Sequence, residues 1–546
     1  MLGLMQYPSL TIGSVIDYAA RNHGCTEIVS RHPTKSLERS NWTRIHDRAR
    51  RIAAALTTLG ARHGDRIASL AWNRTAHVEL YFGVAGGGMV LHTLNPRLFD
   101  DQIGYILKEG GARILCVDPD LLPLAERIVA AHIDPLNVIV LCSRDEIPAT
   151  TIADPIAYED LLVATEPLPA WPDFDERTAS GLCYTSGTTG NPKGVLYSHR
   201  STVLHAMSLC GADSMALSSR DTALLLPPMF HVNAWGVPYA AAMCGAKLVL
   251  PGSALDGSSL NALLRDEEVT FSLGVPTVWF SLLDHIEANT TLEERAALRL
   301  DRVFMGGAAC PRALVQRFRD LLGVDTMQAW GMTETSPVVA VCRPSGRHRD
   351  LPPEEQLDLR AKAGRCLFGS EVGIGAADGG VTGPGAEAIG PLLVRGLWVA
   401  SGYFGKALGS ALDAGGWFDS GDVARIDADG FIQITDRSKD VIKSGGEWIS
   451  SIDLENAAVA HPAVKEAAVV GVPHPRWQER PLMLLHLHPG CSISPEEMRI
   501  HLTTYVAKWW LPDEIILVDE LPHTGSGKLM KAELRQRYAG RLEHAR

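Results

Sequence analysis

Short apolar runs that alternate with stretches of helical period limit this chain more than any other feature. Ile67-Ala68-Ser69-Leu70-Ala71, Ile114-Leu115-Cys116-Val117 and Val138-Ile139-Val140-Leu141 read as buried strands. Residues 43–60 read as a helix. Thr43 is its expected N-cap, Ile45, Ala49, Ile52, Ala53, Leu56 and Leu59 recur on one face, and Gly60 closes it. Further helices are expected near 76–87, 121–131 and 199–211. Strand and helix in alternation predict a largely parallel sheet with helices on both faces, because parallel neighbours need a crossover segment.

Later strands end in turns suited to a ligand. Ala223-Leu224-Leu225-Leu226 runs into Pro227-Pro228-Met229-Phe230-His231-Val232-Asn233-Ala234-Trp235. Val269 to Leu273 runs into Gly274-Val275-Pro276-Thr277, and Arg302 to Met305 into Gly306-Gly307-Ala308-Ala309. Thr326 to Trp330 runs into Gly331-Met332-Thr333-Glu334-Thr335. Open α/β sheets bind their ligands at the carboxyl ends of strands. His231 and Trp235 lie there; Trp330 can stack on a base, and Glu334 can hold a hard cation between phosphates.

The densest candidate follows the apolar run Gly181-Leu182-Cys183. Tyr184-Thr185-Ser186-Gly187-Thr188-Thr189-Gly190-Asn191-Pro192-Lys193-Gly194 joins hydroxyls, glycines and a lysine to a strand end. Glycine lets backbone N–H groups approach an anion closely, so the stretch reads as a phosphate cradle. It lacks the Walker spacing, since Lys193 lies between Pro192 and Gly194. A second lysine, Lys528, closes the turn Leu521-Pro522-His523-Thr524-Gly525-Ser526-Gly527. Asp422, in a glycine turn, is a candidate acceptor for ribose hydroxyls.

The charge cluster Asp436-Arg437-Ser438-Lys439-Asp440 marks a domain boundary. Beyond it, Ser450 with Asp453 starts a helix through 459, strands are expected over 464–472 and 481–487, and a helix over 494–506. The 546 residues carry a net charge of −12, which argues against broad binding to nucleic acid. Ten cysteines without a Cys-x-x-Cys pair read as small buried hydrophobes in a reducing compartment, and zinc is not expected. No signal peptide and no membrane span are expected, and the chain is placed in the cytoplasm. A peripheral membrane contact and a homodimer stay open.

Taken together, these segments resemble the adenylate-forming superfamily of acyl-CoA synthetases, peptide adenylation domains and luciferases, over nearly the whole chain. His231-Val232-Asn233-Ala234-Trp235, Lys443-Ser444-Gly445-Gly446-Glu447-Trp448-Ile449-Ser450 and Trp477-Gln478-Glu479-Arg480-Pro481 are most similar to medium- and long-chain fatty acyl-CoA synthetases and methylmercaptopropionate-CoA ligases. The resemblance implies an α/β fold: a large N-terminal domain of layered α/β sheets, residues 1–436, and a small mobile α+β C-terminal domain, residues 437–546. It implies a ligase that uses ATP, Mg2+ and CoA. A carboxylic acid and ATP give an acyl-adenylate and pyrophosphate, and the CoA thiol then displaces AMP.

Residue by residue, the resemblance assigns phosphate contacts to Thr185, Ser186, Gly187, Thr188, Thr189, Gly190 and Lys193, and magnesium to Thr185 and Glu334. Gly307, Ala308, Gln328, Ala329, Trp330, Gly331 and Thr333 would face the nucleotide. Asp422, Ile434 and Arg437 would hold ribose, with Lys439 as hinge. Lys528, with His231, Glu334 and Thr185, carries the first step. His231, Val232, Trp235 and Gly306 line the acyl site, and rotation of the small domain exchanges Lys528 for the Lys443–Trp448 face. Carrier-loading and luciferase-like members are the alternatives. Amino-acid-loading members carry an aspartate in the stretch matching 230–235, which has no acid here.

Two positions depart from the family pattern. Trp330 stands where a tyrosine is usual, which keeps stacking but loses a phenol hydroxyl. Gly390-Pro391 stands for a Gly-Glu pair, and proline lacks an N–H, so the sheet near 390–396 is expected to be reshaped. Neither exchange is expected to touch a catalytic charge.

Overall fold

The computed structural model describes all residues except 2, 33–36, 132–135, 186–190, 377–378, 387, 445–446, 525–527 and 543–546, and the side chains of 447 and 448. Among the described residues the strands form three sheets. The first runs in the order Ile156–Ala157, Asn137–Val140, Ile114–Val117, Arg66–Leu70, Val90–Thr93, Ala179–Thr185, Lys193–Ser198. Its neighbours are parallel except the last pair, a hairpin that sets Thr185 opposite Lys193. Ile114–Val117 is buried at every residue, as a strand covered on both faces must be.

The second sheet joins two styles. Glu27–Ser30, Lys247–Leu250, Thr222–Leu225, Phe271–Gly274, Arg302–Met305 and Asp325–Gly331 are parallel, and Val338–Val341 then turns the sheet antiparallel. The antiparallel part continues through Gly364–Cys366, Phe431–Arg437, Phe418–Ile426 and Gly390–Gly396. Pro391 does reshape that edge: the register with Phe418–Ile426 shifts between Pro391 and Leu393. Helices Thr75–Gly86 and Val237–Cys244 lie in one core that reaches both sheets, with Tyr81 and Tyr239 at 5.5 Å between ring centroids.

Several expected boundaries shift for local reasons. The first expected helix is Trp42–Thr58, capped by Asn41 rather than Thr43, because the Asn41 side-chain oxygen accepts the Arg44 N–H at 2.9 Å. The helix expected over 494–506 stops at Leu502. There Thr503 and Thr504 donate their hydroxyls to the carbonyls of Ile500 and His501, which competes with helix continuation. Of the ten cysteines, none is in a disulfide; five are buried, and Cys25 and Cys491 are exposed rather than buried.

Residues from 442 onward build the third sheet around the antiparallel pair Val464–His474 and Gln478–Leu487. Alternation gives it two cores. Val469, Met483 and Leu485 pack with Leu454, Met498 and Leu502 on one face, and Ala468, Val470, Leu482 and Leu484 with Leu521 and Leu534 on the other. This unit is tied to the second sheet at the charge cluster. Ser451 N donates to Asp436 Oδ2 at 2.7 Å, and the Ser450 hydroxyl to the Thr435 carbonyl at 2.6 Å. Among the described residues no helix is long and apolar enough to cross a membrane.

Candidate active site

A cleft of about 1950 Å³ opens between the carboxyl ends of the parallel strands and the C-terminal unit. Thr185, Lys193, His231, Val232, Trp235, Gly307, Ala308, Gln328, Ala329 and Trp330 line it, with Gly331, Thr333, Glu334, Asp422, Ile434, Arg437, Lys439 and Lys528. Residues about 340 positions apart in the chain thus meet in one space. Ser186, Gly187, Thr188, Thr189 and Gly190 lie outside the described residues.

The turn after Asp325–Gly331 sets one wall. A Cβ on Gly331 would sit 1.8 Å from the Pro337 carbonyl oxygen, so only glycine lets the chain fold back there. The following short turn, Thr333–Thr335, presents Glu334, which is buried. The Tyr403 hydroxyl donates to Glu334 Oε1 at 2.9 Å, and Lys193 Nζ stands 4.9 Å from the Tyr403 ring centroid. The Tyr197 hydroxyl donates to the Thr333 carbonyl at 2.8 Å, joining this turn to the hairpin that carries Thr185 and Lys193. No group of three or more His, Cys, Asp or Glu side chains suited to a metal is present among the described residues. Glu334 and Thr185, a carboxylate and a hydroxyl lining the same cleft, are the donor types that suit a magnesium ion whose remaining ligands come from phosphates and water.

Further along the cleft, Asp422 accepts one hydrogen bond and faces one cation. Trp330 Nε1 donates to Oδ2 at 2.9 Å, and Arg437 Nε lies 2.7 Å from Oδ1. Trp330 thus reaches the carboxylate read as the ribose acceptor, a contact beyond the stacking expected from its sequence position. Indole carries a ring N–H that reaches where stacking alone would not.

Lys528 enters from the C-terminal unit, on a turn closed by Thr524 N donating to the Lys528 carbonyl at 2.7 Å. The cleft walls surround Lys528 and His231, though both keep part of their surface open. Burial first, then the Arg437 guanidinium, push the Lys528 ammonium down to about 8. Burial first, then Lys528, push His231 down to about 3, so the imidazole is neutral at pH 7. Lys439 is exposed at the junction. Lys443, on Ile442–Ser444, is exposed and is not part of this cleft wall, and the side chain of Trp448 lies outside the described residues.

The other end of the cleft is apolar. Val232, Asn233, Ala234 and Trp235 all have positive φ, between 48° and 57°, and Gly236 follows at 77°. Such a left-handed run costs about 1–2 kcal/mol per L-residue. The segment that leads into it is pinned by a distant residue. Asn73 Nδ2 donates to the carbonyls of Leu225 and Pro227 at 2.8 and 2.9 Å, and its Oδ1 accepts from Met229 N at 2.7 Å. The run turns Trp235 against Gly306, where a Cβ would meet the ring at 2.9 Å and the Ala329 carbonyl oxygen at 2.6 Å. Val275, Thr277 and Phe280 extend this wall. Tyr403, Tyr197 and Asn73 had no sequence signal of their own, since each meets its partner across 69 residues or more.

Comparison with known proteins agrees with this geometry. Residues 17–404 match the model of the AMP-binding enzyme family, and residues 453–528 that of the AMP-binding enzyme C-terminal domain. A medium-chain-fatty-acid–CoA ligase from Ectopseudomonas oleovorans is 46% identical over 539 residues, 98% of each chain. A 3-methylmercaptopropionyl-CoA ligase from Ruegeria pomeroyi is 47% identical over 540 residues, covering 98% of this chain and 99% of that one. The solved structure of the anthranilate CoA ligase AuaEII with anthranoyl-AMP superposes with a TM-score of 0.83 at 25% identity, covering 96% of both chains.

Proposed function

The chain belongs to the AMP-binding enzyme family, and from that premise we propose which acid it takes and what each residue does. It is an acyl-CoA synthetase, an acid–thiol ligase that uses ATP, Mg2+ and CoA. A carboxylate oxygen bonds to the α-phosphorus of ATP as the bond to pyrophosphate breaks. The CoA sulfur then bonds to the acyl carbon, AMP leaves with the old carboxylate oxygen, and the thiol proton passes to solvent.

The preferred acid in this reading is a medium- to long-chain fatty acid. One observation carries it: Val232, Trp235, Val275 and Phe280 give the cleft an apolar wall. A short thioether acid is the second reading, favoured by the relative that acts on 3-methylmercaptopropionate.

The residue roles follow from charge and reach. Lys528, beside His231, Glu334 and Asp422, would neutralise the charge that develops as two anions meet. Neutral His231 serves as a polar wall of the acyl site rather than as a cation. Thr185 and Lys193 would hold the phosphates, and Thr185 and Glu334 a magnesium ion that offsets phosphate charge when bound. Gln328 to Trp330 with Gly331 would face adenine, and Asp422 with Arg437 would hold ribose. Residues 1–436 and 437–546 would act as two domains with Lys439 between them, bringing Lys443 and Trp448 to the cleft for the second step. The reading extends to a cytoplasmic enzyme, supported by ten cysteines with no disulfide.

The test is pyrophosphate release, with and without CoA, across straight-chain acids from propionate to palmitate and 3-methylmercaptopropionate. Thioester formation is expected, with the highest kcat/KM among medium and long chains. Adenylation without CoA consumption would instead mean a carrier-loading enzyme. Highest kcat/KM with 3-methylmercaptopropionate would replace the fatty acid reading.

A further inference from the structure

Trp330 is buried and packs with Ala340, Ala363 and Ala424, residues of the antiparallel part of the second sheet. Its indole N–H leaves that apolar setting to donate to Asp422 Oδ2 at 2.9 Å, while Arg437 Nε stands 2.7 Å from Oδ1. Ser420 Oγ accepts from Asp422 N at 3.1 Å and donates to the Leu392 carbonyl at 2.7 Å, which fixes the backbone beneath the carboxylate. The indole fixes Oδ2, while Oδ1 is buried without a hydrogen-bond partner and faces the Arg437 cation, so Trp330 supplies the one directional contact that sets the carboxylate's rotation.

We propose that Trp330 is a positioning residue for nucleotide selection: its N–H orients Asp422 to accept both hydroxyls of a nucleoside's vicinal diol. The inference rests on the reading of Asp422 as the ribose contact. Stacking of the ring on a base and donation to Asp422 are separate properties of one side chain. A phenylalanine keeps the first and lacks the second. Without the indole donor, Oδ2 loses a fixed partner in a nearly water-free setting, and the carboxylate can rotate away from the diol.

The experiment compares ATP with 2′,3′-dideoxy-ATP in the pyrophosphate-release assay for wild type, Trp330→Phe and Asp422→Asn. In Trp330→Phe the KM for ATP is expected to rise about tenfold more than the KM for the dideoxynucleotide, whose change reads any loss of stacking. The preference for ATP then falls about tenfold. In the Asp422→Asn background Trp330→Phe should change that preference no further. A preference that stays as in wild type, or a tenfold fall that persists in the Asp422→Asn background, overturns the proposal. If Trp330→Phe does not fold, Trp330→3-benzothienylalanine, which keeps the ring shape and places sulfur at the N–H, gives the same readings. If Asp422→Asn leaves the ATP preference of wild type intact, the ribose reading itself fails. If Asp422→Asn abolishes it and Trp330→Phe does not, only the role of Trp330 falls.

Discussion

In the proposed reading, the two ends of the cleft recognise by different physics. At the proposed nucleotide end, Glu334 accepts from Tyr403 and Asp422 from Trp330 at 2.9 Å, Arg437 stands 2.7 Å from Asp422, and Lys193 and Lys528 add charge nearby. At the acyl end, Val232, Trp235, Val275 and Phe280 offer volume and little else, and the backbone itself is bent left-handed to shape it. A co-substrate that never varies suits charges and hydrogen bonds, which reject any analogue that leaves them unpaired. An acid that varies in length suits apolar walls, which discriminate only modestly per methylene.

If the comparison holds, changes at the two ends separate cleanly. Lys528→Ala should lower adenylation by about 10²–10³ through loss of a donor aimed at developing charge. It should spare thioester formation from a pre-made acyl-adenylate, measured by CoA consumption; equal loss in both half-reactions would remove Lys528 from the first step. The wild-type profile tests the same charge. Because Lys528 is pushed down to about 8, it deprotonates as pH rises through 8, so kcat/KM for adenylation should fall above that pH. A flat profile up to pH 9.5 would mean that the ammonium is not required.

At the acyl end, Trp235→Ala should shift kcat/KM between neighbouring acids by about 1–3 kcal/mol per methylene-scale contact and leave the KM for ATP nearly constant. Uniform loss across the acid series would reduce Trp235 to a prop for the fold near His231. Tyr403→Phe should raise the magnesium concentration for half-maximal rate by about tenfold, as removal of a partner that orients a metal-binding carboxylate does. An unchanged magnesium titration would detach Tyr403 from the role of Glu334.

The smallest effect concerns backbone shape. Ala234 at φ 48° and Ala241 in the right-handed helix Val237–Cys244 are both fully buried. Glycine relieves left-handed strain at the first and adds helix cost at the second, so Ala234→Gly should be milder than Ala241→Gly by about 1 kcal/mol or more. Equal shifts in thermal midpoint would argue against the left-handed run.

Much of the nucleotide end was legible from local pattern. Thr185, Lys193, Glu334 and Lys528 are polar or charged groups on turns that follow or close apolar strands, and strand ends are where such folds gather ligands. Their partners were not legible. Tyr403 meets Glu334 across 69 residues and Trp330 meets Asp422 across 92, and no periodicity links them. The acyl end was legible in residue type through His231 and Trp235, but its shape was not. Four consecutive left-handed residues without glycine run against local preference, and the segment that leads into them is pinned by Asn73, 152 to 156 residues away.

By itself the sequence determined the alternation of strands and helices and the turns at their ends, because burial and backbone sterics act over a few residues. Tertiary structure decided how the parallel sheet passes into an antiparallel one at Val338–Val341, which carboxylate each aromatic N–H or O–H reaches, and how Trp235 lies on Gly306. Those outcomes depend on packing between segments far apart in the chain. A local pattern sets what a segment prefers, and the energy of the assembled core sets which preference gives way.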